Sequence, residues 1–548
     1  MRAPTKPPPP SLIGLAALVA LTACTRPSTC RGDYCGTLVF AAAGQPDILL
    51  PPVSVQGLAR DVYQQIFLKL ADIGPSMNTL GDHDFQPQLS QRWEWETPTR
   101  LVFHLDPRAR WQDGPPVTAA DVAFTFQAYT DSQVHAESRP LLGGIVSVTA
   151  RDSLTAVFAY RERYPEMFYA AVYHMYILPR HLLDTVPRPR WATAAFGRVP
   201  VGDGPYRFVS WTPGQSVELG ADSTFFLGRP HIRRLIWQFV GDQQAAITQL
   251  VAGQGDALEF LGPLDNLRRV QQVPQLATYP YKSSAYGYML FNVAAPLFSD
   301  RAVRRALVLA LDRDRMNQSV WAGQAKVPPG PMPQLWSVWD PAIRSLPYDT
   351  AAAARLLAQR GWRAVGGGGS ARTRGGQKLA IELLVPTTSA VRRQYARLIQ
   401  AQLLTVGVDV KLVEIEPNVM QDRLAKGNFE AAILSYQADP SPTAGVTQHW
   451  GRGAPGNFGH YANPAFQRAL EAAGHGANRP EEAARAWREA FSILNDDAPA
   501  AWLYAPNLVA AVHRRVADVQ VRPDSWWALV RTWRIPADRL IDRDRVER

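Results

Sequence analysis

Between Leu379 and Tyr436 the hydrophobic period switches back and forth between that of a strand and that of a helix. "LAIELLV" reads as a strand. "AVRRQYARLIQAQLLTVG" places Tyr395, Leu398, Ile399, Leu403 and Val406 on one helical face. "VDVKLVEI", "NVMQDRLAKG" and "FEAAILSY" then read as strand, helix and strand. A βαβαβ order implies an α/β fold with a mostly parallel sheet and right-handed crossovers. In open sheets of this kind ligands sit beyond the carboxyl ends of the strands.

Two such ends are visible. One carries Thr387, Thr388 and Ser389, just before a helix whose first turn holds Arg392 and Arg393. Hydroxyls, free backbone N–H groups and a guanidinium suit an anion, so Thr388 and Arg393 are candidate ligand-binding residues. The other end, "ILSYQADP", carries Tyr436 and Asp439, an aromatic and an acid that suit a cation. The competing reading makes Asp439 a turn residue, since Asp before Pro is a common exit from a strand. A ligand with both an ammonium and a carboxylate would match the two ends.

At 548 residues the chain is too long for one core, and about two to four domains are expected. Hydrophobic and charged fractions of 46% and 19% belong to a folded protein. The net charge of +10 comes from 51 Arg and 7 Lys spread along the chain without a block of like charges. That distribution argues against nucleic acid as a partner.

The N-terminus constrains location. Arg2 and Lys6 precede "SLIGLAALVALTA", thirteen residues from Ser11 to Ala23, too few to span a bilayer but suited to a signal-peptide core. The tetrad Leu21-Thr22-Ala23-Cys24 looks like a bacterial lipobox, in which Cys24 is lipidated; the alternative is an ordinary signal peptide with an incidental cysteine. No later run reaches 18 apolar residues, so the remainder is expected to be soluble and outside the cytoplasm. Cys30 and Cys35 lie just beyond, where an oxidising compartment permits a small disulfide loop. No Cys or His spacing suggests a metal site. "GGGGSARTRGG" (Gly366 to Gly376) lacks the Gly-Lys-Ser/Thr ending of a phosphate loop and reads as a flexible surface loop, so no cofactor is expected.

Elsewhere, "RLVFHL" alternates as a strand, and "TAADVAFTFQAY" reads as a helix with a Thr118/Asp121 capping box and Val122, Phe126 and Tyr129 inward. "GPYRFVSW", "SVELGA" and "RRLIWQFV" form a β-rich zone with a Pro-Gly turn at 213–214. Ser299 or Asp300 caps "RAVRRALVLAL", and Asp349-Thr350 caps "AAAARLLAQRG".

Four long segments in order resemble a known family: "FQPQLSQRWEWETPTRLVFHLDPRARWQDGPPVTAADVAFTF", "VGDGPYRFVSWTPGQSVEL", "YGYMLFNVAAPLFSDRAVRRALVLALDRDRM" and "YDTAAAARLLAQRGW". Together they look like the extracytoplasmic solute-binding proteins of ABC transporters, peptide/nickel class (family 5), over about Thr37 to Val521. The resemblance implies a periplasmic-binding-protein-like fold (type II, cluster C), two lobes around a cleft with an extra domain on lobe one. Residues 1–23 would then be the signal peptide and 24–36 the lipid-anchored tether. Lobe one would comprise 37–56, 201–280 and 507–548, the extra domain 57–200, and lobe two 281–506, with crossovers near Tyr279–Lys282 and Trp502–Pro506.

In the family's peptide binders an acid in Trp-x-x-Asp before Pro takes the peptide's ammonium, which here reads Tyr436-Gln-Ala-Asp439-Pro. Arg393 falls where some members carry a cation. The chain departs from the family's usual Leu-Asp-Pro opening with "QPDILLPPVS". The implied function is a monomeric, membrane-anchored receptor that captures peptides and delivers them to ABC permease transmembrane subunits. The same fold holding an oligosaccharide or metal chelate, or serving a signalling partner, is the alternative. An enzyme has no support from a G-x-S-x-G or H-E-x-x-H motif.

Overall fold

The segment with the alternating period folds as three neighbouring strands, Asp409–Ile415, Ala380–Pro386 and Ala431–Gln437, paired in parallel. Helices Ala390–Thr405 and Pro417–Ala425 connect them. Tyr395, Ile399, Leu403 and Val406 are buried as their spacing implies, and Leu398 is half-buried. Parallel pairing is interrupted there and resumes only where Cys35–Ala43 meets Ala257–Leu258 and Ile232–Val240. The next strand, Ala285–Phe291, runs antiparallel to Ala431–Gln437, and Ala500–His513 runs antiparallel to it in turn. The sheet is therefore mixed, not mostly parallel, because these two central strands arrive from distant parts of the chain without a crossover helix from their neighbours. This computed structural model describes residue 30 and residues 34–544, except 55, 263, 334, 335, 337, 341, 367, 368, 477 and 478.

Ala500–His513 joins the two halves of the molecule. Its first residues pair with Ala285–Phe291, and its last pair with Leu276–Lys282 from Lys282↔Asn507 to Leu276↔His513. Beyond it the sheet continues through Ala257–Leu258, Cys35–Ala43, Ile232–Val240, Ser216–Ala221 and Tyr206–Thr212. Where the register shifts next to Gly287, a Cβ on that glycine would stand 2.1 Å from the Tyr504 ring, so only glycine fits.

A separate four-stranded antiparallel sheet, ordered Ser90–Thr97, Arg100–Leu105, Thr155–Tyr160, Ile145–Ala150, lies within residues 57–200. The helix Ala119–Thr130 starts with the capping box that its sequence implies: Thr118 N donates to Asp121 Oδ2 at 2.8 Å. Val122, Phe126 and Tyr129 are buried. This sheet has no core of its own. One continuous apolar cluster runs from Phe103, Phe158 and Trp191 to Phe40, Trp237, Trp527 and Trp533. Among the further cores, two flank the part of the mixed sheet around Ala285–Phe291. Met289 and Phe291 belong to one, while Tyr286, Tyr288 and Leu290 belong to the other, the period-two alternation of a strand covered on both faces.

Smaller features follow local chemistry. Asp300 and Asp349 accept from Ala302 N and Ala352 N as helix caps. The glycine-rich stretch carries more order than a flexible loop: Thr373–Arg374 pairs with Gln377–Lys378 across Gly375 and Gly376, both at positive φ, as a tight hairpin turn requires. Cys30 and Cys35 are joined by a disulfide with Cα atoms 4.9 Å apart. Among the described residues no helix is long and apolar enough to cross a membrane, and no group of three or more His, Cys, Asp or Glu could hold a metal ion. Cys24 lies outside the described residues.

Candidate functional site

Strand Ala431–Gln437 ends two residues before Asp439, which aims its carboxylate at the segment 57–200. Asp439 Oδ1 accepts the Tyr169 hydroxyl at 2.6 Å and Ser441 N at 2.8 Å. The Trp336 indole donates to Asp439 O at 2.7 Å and fixes the backbone. Oδ2 is different. Among the described residues it accepts no hydrogen bond, and its nearest charged-type neighbour is His174 Nε2 at 3.7 Å. The side chain retains 20% exposure, into a cavity of about 380 Å³ that Asp439 and Tyr436 both line. One carboxylate oxygen is thus used to hold the group and the other is offered to the cavity.

Neighbouring contacts reinforce this placement. Helix Met167–Val172 carries Tyr169, whose ring stacks on Tyr173 at 4.6 Å. Buried Glu166 accepts Thr79 Oγ1 at 2.6 Å and Ser441 Oγ at 2.8 Å, a second link between the segment 57–200 and the loop after Asp439. Burial pushes its carboxyl pKa up, which favours the protonated form. Past Ser441 the chain makes a π-helical turn, Thr443–Thr447, a form of helix often found at functional sites. Its Ala444 reaches the cavity wall.

His174 is half-buried, and desolvation lowers its pKa although Asp439 works the other way. At neutral pH it is therefore an uncharged imidazole that leaves the charge of Asp439 uncompensated. The rest of the wall is rich in charge: Arg522 pairs with both Asp72 and Asp524, and Lys69 and Arg60 line the same space. A second cavity of about 260 Å³ shares Arg60 and Asp524 with the first and runs to Trp237 and Trp527.

The structure separates the other two candidates from this site. Neither Thr388 nor Arg393 lines the cavity. Thr388 is exposed, and the Arg393 guanidinium turns back to the Thr387 carbonyl. The residues that local reading missed are Tyr169, His174, Lys69 and Arg60. Tyr169 lies 270 positions from Asp439, so no local pattern connects them. Lys69 did leave a trace, as a lysine inside the apolar run "IFLKLA" of a chain that otherwise prefers arginine.

The profile of the bacterial extracellular solute-binding proteins, family 5 (middle region), matches residues 84–458. The chain belongs to this family. Among curated relatives, the oligopeptide-binding protein AppA of Bacillus subtilis is 24% identical over 90% of this chain and 91% of its own length. Protein XP55 of Streptomyces lividans is 28% identical over 88% and 86%. Among solved structures, the ABC transporter substrate binding protein CtaP of Listeria monocytogenes aligns with a TM-score of 0.81 at 20% identity, over 92% of this chain and 99% of that one. The fold is thus that of the family 5 periplasmic binding proteins, and the protein is an extracytoplasmic solute-binding protein.

Proposed function

We propose that this family 5 protein captures peptides and hands them to the transmembrane subunits of an ABC importer. Asp439 takes the peptide's N-terminal ammonium and Tyr436 supplies an aromatic wall beside it. The observation that carries the reading is the split role of the carboxylate, with Oδ1 held by Tyr169 and Ser441 and Oδ2 left to the cavity. The name of the Bacillus subtilis relative, an oligopeptide-binding protein, supports the same ligand class.

The reading extends to architecture and location. Residues 37–56, 201–280 and 507–548 form one lobe, 57–200 the extra domain on it, and 281–506 the lobe that closes. Ser283–Ser284 and Ala505–Pro506 lie where paired strands pass between the two halves, a natural hinge position. Residues 1–23 direct export, and a lipid on Cys24 holds the receptor at the membrane as a monomer.

Two outcomes are expected. Native mass spectrometry of the purified protein recovers a peptide that is released unchanged after incubation, and added peptide reduces the radius of gyration in solution scattering. Appearance of cleaved product would move the protein to the enzyme class. Separately, Cys24→Ala leaves the detergent phase in a membrane partition assay, because one residue carries the anchor. A variant that partitions like the parent places the anchor elsewhere.

A further inference from the structure

Lys69 is a buried charge whose role the fold does not explain. It is 7% exposed, in a run where Ile66, Phe67, Leu68 and Leu70 are all buried. Its ammonium stands 4.0 Å from the centre of the Tyr173 ring and 5.0 Å from that of Tyr176. Among the described residues neither a hydrogen bond nor an ion pair within 4.0 Å satisfies it. Asp72 and Asp524, the carboxylates whose charges act on it, are both bound by Arg522. Burial accordingly pulls the lysine pKa below its ordinary range. Lysine is almost never fully buried unless paired, so a buried ammonium that opens on a cavity is a seat for an anion from outside.

Arg60 strengthens that seat. It lines the same cavity, its charge bears on Lys69, and among the described residues no carboxylate lies within ion-pair distance of its guanidinium. Asp61 and Glu259, the carboxyls close to Arg60, share a hydrogen bond, and burial pushes both upward. A hydrogen bond between two carboxyls needs a proton on one of them, so together they give Arg60 less than a full counter-charge.

We propose that Lys69, assisted by Arg60, binds a carboxylate of the ligand, so that the cavity takes a short zwitterionic peptide laid between Lys69 and Asp439. This rests on the peptide reading above and narrows it. Length follows from the tyrosine pair between the seats: the Lys69 ammonium lies 4.0 Å from the Tyr173 ring, which stacks at 4.6 Å on Tyr169, whose hydroxyl meets Asp439 at 2.6 Å. The two seats are therefore separated by two stacked rings and open on one cavity. A cavity of about 380 Å³ is also near the small end of ligand sites, which run from roughly 300 to 1,000 Å³. The carboxylate that sequence patterning assigned to Thr388 and Arg393 is instead met on the opposite side of the ligand, within the segment 57–200.

Calorimetry with three peptides tests this: trialanine, trialanine amide, and a tripeptide amide with a central glutamate. Wild type, Lys69→Met and Lys69→Arg are compared. Wild type is expected to bind trialanine about tenfold or more tighter than its amide. Lys69→Met abolishes that ratio, and Lys69→Arg keeps most of it. Recovery of affinity by the glutamate amide identifies the seat as open to an acidic side chain; no recovery restricts it to the terminal carboxylate. Lys69→Met should melt at or above the wild-type temperature, since it replaces an unpaired buried cation with an apolar chain of similar length. Equal affinity of wild type for acid and amide, or an unchanged ratio in Lys69→Met, overturns the subsite and leaves the peptide reading standing. If wild type binds none of the three, both fall together.

Discussion

Asp439→Asn should lower peptide affinity about 30- to several-thousand-fold while leaving the fold intact. The asymmetry of the carboxylate makes the substitution clean. An asparagine oxygen at the Oδ1 position still accepts from Tyr169 and Ser441, so the contacts that hold the loop survive. Its NH2 group then occupies the Oδ2 position and meets the ligand's ammonium donor to donor. Truncating one partner of a desolvated charge pair typically costs about 2–5 kcal/mol, which is the stated range of affinity.

An N-acetylated peptide tests the same pair from the other side, since it has no ammonium to offer. Wild-type protein should bind it as poorly as Asp439→Asn binds the free peptide, and the double change should cost little more than either alone. Calorimetry on the four combinations measures this directly. Equal affinities throughout would return Asp439 to the role of a turn residue and remove the cation seat. Additive losses, with no coupling, would place the ammonium at another group.

The contrast between Asp439 and Arg393 explains which parts of the site could be read from the sequence. Strand-end logic located both, because a strand's last residues and a helix's first turn are set by local periodicity. What it could not supply is the direction in which a side chain turns. Arg393 folds back onto the Thr387 carbonyl of its own turn, whereas Arg392, one residue earlier, is half-buried, and burial lowers its pKa. Tyr169, the partner of Asp439 from the other side of the site, sits on helix Met167–Val172 and is brought close only by the shared packing of the whole chain. The capping box at Thr118 was legible for the opposite reason, since every atom in it lies within four residues. Lys69 sits between these cases. A lysine in an apolar run announces burial at a cost, but its function depends on Tyr173 and Arg522, far away in sequence.

A similar dependence on distant residues governs stability. Arg515 is 3% exposed and ties together three separated pieces of chain. Its guanidinium donates to Asp256 Oδ1 at 2.7 Å and Oδ2 at 3.0 Å, to Asp544 Oδ2 at 2.7 Å and to the Thr37 carbonyl. The two carboxylates in turn receive backbone N–H groups of the first strand, Val39 at Asp256 and Thr37 at Asp544. Arg515→Met leaves two buried carboxylates without their common cation, a loss expected to cost about 3–5 kcal/mol. Arg543 also reaches Asp256, so the larger share of the deficit falls on Asp544 and the C-terminal tail. Arg515→Lys should rescue little, because a single ammonium cannot reproduce a fork that spans two carboxylates and a carbonyl. Urea unfolding followed by tryptophan fluorescence should show a lower midpoint, read on a transition that involves Trp527 and Trp533 in the adjoining core. A loss near zero to 1 kcal/mol, the range of exposed ion pairs, would mean that the strand and the tail are held by apolar packing alone.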